Sequence, residues 1–186
     1  MEPRPRLHVL TLALCAAGLA PAAQARVLLK QEEALRIAFG EARPERRMAT
    51  LTEEQRQAAE KLAQARVQQR EWTYYVAVSS AGETTYAYFE THVVRTMPET
   101  FMAVLDGTGK LRFVELLAFH EPEDYRPPKR WLRRFDGRPL DDDLLVRRGI
   151  RNITGASLTS RALTDGVRRI LAVHAVLQSQ PAPSPR

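Results

Sequence analysis

Apolar residues recur at helical spacing from Gln31 to Phe39, where Ala34, Leu35, Ala38 and Phe39 share a face and Gly40 can stop the helix. Glu45 to Leu51 reads as a short extended segment. Thr52 then offers an N-cap, and Gln55 three residues later completes a capping box. The helix it opens is expected to run to about Gln69, with Ala58, Ala59, Leu62 and Val67 as a thin apolar face, and so to lie on the surface. Aromatic and β-branched residues dominate Trp72 to Ser79 and Thr84 to Thr91, which predicts two strands joined through Ser79-Ser80-Ala81-Gly82. Phe101 to Leu105 and Leu111 to Phe119 predict a second pair across the turn Asp106-Gly107-Thr108-Gly109. Pro127 and Pro128 break the strand pattern, and Lys129 to Phe135 predicts one or two helical turns ended by Asp136-Gly137. From Ser160 a long helix is expected, with Leu163, Val167, Ile170, Leu171, His174 and Leu177 on one face. Residues from Gln178 on are rich in Pro and Ser and read as a disordered tail. Helices, antiparallel strands and a closing helix, without an internal repeat, make an α+β single domain.

The N-terminus changes that picture. Arg4 and Arg6 precede the apolar run Leu7 to Ala20, and Ala23-Gln24-Ala25 has the small-x-small pattern of a signal-peptidase site. The run is short for a membrane span. The expected leader is residues 1–25, cleaved near Ala25, with export to the periplasm. The only cysteine, Cys15, falls inside the leader, so the mature chain has no thiol, disulfide or Cys-held metal cluster. The 186 residues are 44% hydrophobic and 27% charged, which excludes collagen-like, coiled-coil and wholly disordered chains. The net charge is +6. In an exported chain that charge argues for solubility, or for an anionic membrane surface or acidic partner, rather than for nucleic acid.

The segment Arg151-Asn152-Ile153-Thr154-Gly155-Ala156-Ser157-Leu158-Thr159-Ser160 carries the chemistry. Small and hydroxyl-bearing residues stand just before an amphipathic helix. Free N–H groups and the helix dipole suit such a place to phosphate, and Gly155 allows close backbone approach. The plainer alternative is a helix cap, for which Ser and Thr are preferred residues.

The same segment, with Arg161-Ala162-Leu163 after it, resembles the flavinylation motif of the FMN-binding domain family. That family includes the FMN-carrying subunits of the Rnf-type complex and of the sodium-translocating NADH:quinone reductase. Its pattern is Asp-x-x-Ser/Thr-Gly-Ala-Thr/Ser, followed by an apolar residue and Thr-Ser. The resemblance extends upstream through Ala118-Phe119-His120-Glu121-Pro122 and through Trp131, Phe135, Asp136 and Gly137. It implies FMN joined through its phosphate to the hydroxyl of Ser157 by a dedicated FMN transferase. Thr154, Gly155, Ala156 and Leu158 would cradle the group, Thr159 and Arg151 would contact the phosphate, and His120 and Trp131 would lie near the ring. The chain departs from the pattern at Arg151, where the family usually has Asp, and at Ser157, where Thr is commoner. Serine offers the same nucleophilic oxygen, and Arg suits phosphate geometry.

The implied organisation is a signal peptide (1–25), an N-terminal helical segment (26–70), an FMN-binding domain (71–177) and a tail (178–186). The implied function is a periplasmic electron carrier exchanging electrons with membrane or periplasmic redox proteins, more a carrier than a stand-alone enzyme. The alternatives are a non-catalytic binding or assembly module without flavin, and a flavin reductase with a soluble acceptor.

Other residues carry less. His120 is either a donor near the flavin or an ordinary strand-end histidine. Trp131 and Phe135 either meet the ring or pack the core. Arg126, Lys129, Arg130, Arg133, Arg134 and Arg138 form a basic cluster that suits anionic lipid, an acidic partner or a solvated face. His92 and His174 read as structural, and the histidines lack metal-ligand spacing. Glu121, Glu123 and Asp124 lack a second carboxylate at glycosidase separation. No Gly-x-Ser-x-Gly, Gly-x-Gly-x-x-Gly or P-loop sequence is present.

Overall fold

The computed structural model describes residues 26–179. The expected leader with Cys15, and residues 180–186 of the expected tail 178–186, lie outside the described residues, whereas Gln178 of that tail is helical. In chain order the elements are β1 (Arg26–Val27), α1 (Gln31–Phe39), β2 (Glu45–Thr50), α2 (Glu53–Ala63), β3 (Glu71–Val78), β4 (Thr84–Val94), β5 (Met97–Asp106), β6 (Leu111–Phe119), α3 (Lys129–Leu132) and α4 (Ser157–Gln178). Short 3-10 turns at Glu123–Tyr125 and Arg133–Phe135 flank α3. The six strands make one antiparallel sheet in the order β1-β6-β5-β4-β3-β2, so the fold is the α+β single domain that the patterning predicts.

The apolar run Phe101-Met102-Ala103-Val104-Leu105 is buried at every position because β5 is covered on both faces. Met102 and Val104 face α1, where Ala34, Ala38 and Phe39 form the smaller core with Ala87 and Leu117. Phe101, Ala103 and Leu105 face the larger core, built with α2, α4 and the segment around α3. Two bulges leave Arg112 and Leu117 of β6 without a Cα partner on β5.

Three expectations are corrected. The segment 26–70 is not an appendage to a domain that starts at residue 71, because β1 and β2 are the two edges of the same sheet. The second helix stops at Ala63 and not near Gln69, with Gln64 left-handed at its C-cap; it lies on the surface as expected and packs on α4 through Ala59 and Ala63. The strands form one continuous meander rather than two hairpins. β4 and β5 are longer than predicted and meet at the tight turn Arg95-Thr96. That turn lacks a Gly, Asn or Pro signal. Arg95 adopts φ 52°, and the buried Glu121 carboxylate accepts the N–H groups of Thr96 and Met97, both at 3.1 Å.

Candidate functional site

The long closing helix begins at Ser157, three residues before the expected Ser160. Its first turn is folded back onto the preceding loop. The buried Ser160 hydroxyl accepts the Ile153 N–H at 2.9 Å and donates to the Ala156 carbonyl at 3.0 Å. The Ala156 N–H in turn donates to the Ile153 carbonyl at 3.0 Å. Ser160 therefore ties the loop to the helix from inside and is not the residue that opens it.

This arrangement leaves the helix start uncapped. The N-cap is Ala156, which has no side chain for the purpose, and no cap hydrogen bond is formed. Among the described residues the N–H groups of Ser157, Leu158 and Thr159 have no acceptor. They head a helix of 22 residues, whose dipole adds positive potential at this end. Gly155 has φ +81° with open space around it, a conformation that glycine adopts without strain.

The nine candidates divide. Arg151, Thr154, Gly155, Ser157 and Leu158 are exposed around the helix start. Ala156 and Thr159 are buried, so Thr159 turns inward and the outward hydroxyl of this turn belongs to Ser157. Trp131 is also buried, with its ring edge-on to Phe135. Its indole N–H donates to the Arg151 carbonyl at 2.6 Å, so Trp131 fixes the motif loop from the core side. His120 follows β6, half-buried, and its backbone N–H donates to the Pro98 carbonyl. It makes no side-chain hydrogen bond to the motif.

A cavity of about 560 Å³ opens between the sheet and α4 from the second turn of that helix onward, and none of the nine candidates lines it. Its walls include Trp72, His92 and Val93 from the sheet, and Ala162, Asp165 and Arg169 from α4. Leu158, exposed and apolar, stands one turn ahead of Ala162 on the same stripe of α4.

Charged groups converge behind the cavity. Arg169 pairs with Glu90, and His92 lies between two carboxylates, with Nδ1 3.3 Å from Glu90 and Nε2 3.6 Å from Glu99. The second distance is ion-pair range, beyond hydrogen-bond reach. Glu99 is fully buried, and neither of its oxygens has a hydrogen-bond partner. Burial works against the His92 cation, but Glu90 and Glu99 outweigh it and hold its pKa up at about 9. Burial raises the pKa of Glu99, against the pull of His92. Burial also opposes ionisation of Glu90, yet His92 and Arg169 keep its pKa below the usual value.

His92 thus belongs to a buried charged cluster, and His174 is a core residue. Burial lowers its pKa to about 4, and its Nδ1 takes the Tyr88 hydroxyl at 2.9 Å. The cluster had one sequence signal, the alternation Glu90-x-His92. Glu99 joins it only through the pairing His92↔Glu99 across the unpredicted hairpin.

Among the described residues, no group of three His, Cys, Asp or Glu side chains is placed to hold a metal ion, and no helix is long and apolar enough to cross a membrane. Comparison of the chain with protein-family models, curated proteins and solved structures returns no match.

Proposed function

We propose that the protein is a periplasmic electron carrier with FMN held by a phosphoester to Ser157. The observation that carries this reading is the start of α4. An exposed serine stands at the first position of a long helix whose N-cap is an alanine without a capping bond. Uncapped N–H groups at a dipole end suit a phosphate, and exposure leaves the Ser157 hydroxyl open to a transferase. Arg151 and Arg161, both exposed, flank the site with positive charge. The residues present therefore fit a phosphate ester, and the resemblance of Thr154-Gly155-Ala156-Ser157 to a flavinylation motif supplies the identity of the group.

FMN, when bound, supplies reversible uptake of electrons. The chain supplies position. Ser157 anchors the phosphate, the N–H groups of Leu158 and Thr159 hold its oxygens, and Ser160 and Trp131 keep the loop in place. An anchored cofactor cannot diffuse away after reduction, which suits an exported carrier that meets its redox partners in turn.

The test is intact mass of the exported protein, produced in cells containing an FMN transferase. The expected mass is that of the chain from Arg26 plus FMN less one water, with the gain lost in Ser157→Ala. Yellow protein without the gain would mean non-covalent FMN. Colourless protein without the gain would move the assignment to a binding or assembly module.

A further inference from the structure

We propose that the end of the molecule formed by the Arg95-Thr96 turn, the connection 120–131 and the first turn of α4 docks on the surface of an anionic phospholipid membrane, with Met97 and Leu158 entering the headgroup layer. The inference does not depend on flavin at Ser157, although that serine falls at the same end.

Contacts between distant segments assemble this end. The Glu121 carboxylate accepts the N–H groups of Thr96 and Met97, and the His120 N–H donates to the Pro98 carbonyl, so the chain after β6 lies against the β4–β5 turn. The Arg95 guanidinium sits over the Tyr125 ring, 4.3 Å from its centre. Trp131 binds the Arg151 carbonyl, and Ala162 lines the same cavity as Val93, which brings the motif loop and the start of α4 to this end as well.

These segments expose six cations, Arg95, Arg126, Lys129, Arg130, Arg151 and Arg161, against two carboxylates, Glu123 and Asp124. Glu123 is paired with Arg126. The acidic corner Asp141 to Asp143 lies elsewhere, at Arg168, about 15 Å along α4 from Leu158. Guanidinium forks match phosphate oxygens, and each cation near an anionic surface adds attraction. Met97 and Leu158, 37% and 49% exposed, supply the apolar part. Two such side chains are too few to form the apolar core of a protein interface. Membrane binding needs only shallow apolar insertion beside positive charge. The stems of Lys and Arg can lie along the acyl boundary while their heads stay with the phosphates.

The experiment sediments the exported protein with vesicles of phosphatidylcholine alone and of phosphatidylcholine mixed with phosphatidylglycerol. Binding is expected only to the mixed vesicles, and it should be lost at about 1 M salt, where screening shortens to about 3 Å. The double change Lys129→Gln and Arg130→Gln should weaken it about 20-fold, at about fivefold per cation removed. A tryptophan reporter locates the contact, since the native Trp72 and Trp131 are buried. Met97→Trp should shift its emission to the blue on the mixed vesicles. Val78→Trp, exposed at the far end of the sheet, should not. Absence of binding to the mixed vesicles overturns the inference and leaves this end to an acidic protein partner. Binding that survives 1 M salt, that ignores the double change, or that shifts Val78→Trp as much as Met97→Trp overturns it too. None of these results bears on the mass test of Ser157.

Discussion

At the scale of single residues, Gly166 shows how tightly α4 lies on the sheet. A Cβ there would meet Glu90 Oε1 at 2.7 Å and the Phe101 ring at 2.9 Å. Alanine would gain about 1 kcal/mol of helix propensity. Overpacking against a buried ring and a paired carboxylate costs about 1 to 3 kcal/mol. Gly166→Ala should therefore lower stability by about 1 kcal/mol in urea denaturation, although the same change in an exposed helix would raise it. The sequence marks Gly166 only as a glycine inside a helix. What it packs against comes from β4 and β5, which lie far away in the chain. Ser160 teaches the same lesson. It reads as the residue that opens the helix, yet it is the buried tie between loop and helix, and the exposed position falls to Ser157.

At the scale of elements, Arg168 decides how α2 is held. Its guanidinium is buried and donates to the carbonyls of Ala63 at 2.6 Å and Leu62 at 3.3 Å, which are the last carbonyls of α2. It also donates to the carbonyls of Asp141 and Leu144 in the loop ahead of the motif. One side chain of α4 thus closes the C-terminal end of α2, favourably for its dipole, and fixes the acidic corner. Arg168→Met fills similar space but leaves several buried carbonyls without donors. It should cost about 3 kcal/mol or more by denaturant titration. Arg168→Lys should recover only part of that, because an ammonium group cannot fork to both segments. A mostly polar helix with two buried alanines reads as a surface helix from its pattern alone. Its attachment depends on an arginine more than a hundred residues later in the chain.

At the scale of the whole molecule, two histidines set opposite limbs of the pH–stability curve. His174 has a folded pKa near 4 against 6.5 unfolded, so acidification protonates the unfolded chain first. Its contribution is complete above 6.5 and is lost as pH falls toward 4. His92 has a folded pKa near 9, so its contribution is complete below 6.5 and is lost as pH rises through 9. Each limb is worth about 3 kcal/mol from its shift. Stability should peak near neutral to slightly acidic pH. In denaturation midpoints measured across this range, His174→Phe should flatten the acid limb and His92→Gln the alkaline limb. If both variants keep the wild-type profile, other groups set the curve.

The sequence by itself determined what neighbours in the chain decide. Gly40 ends α1, Thr52 and Gln55 box the start of α2, and Asp106 to Gly109 turns β5 into β6. Caps, turns and alternation depend on interactions across a few residues, so they are legible in order. The run of small and hydroxyl-bearing residues around Ser157 was visible for the same reason. Only the tertiary structure decided the rest. The Arg95-Thr96 turn is held by Glu121, some 25 residues on. The His92–Glu99 pair exists because that turn brings β4 onto β5. The cavity forms where the sheet meets the outward stripe of α4. These features are made by groups distant in sequence, whose burial and charge are set by the partners that packing brings to them.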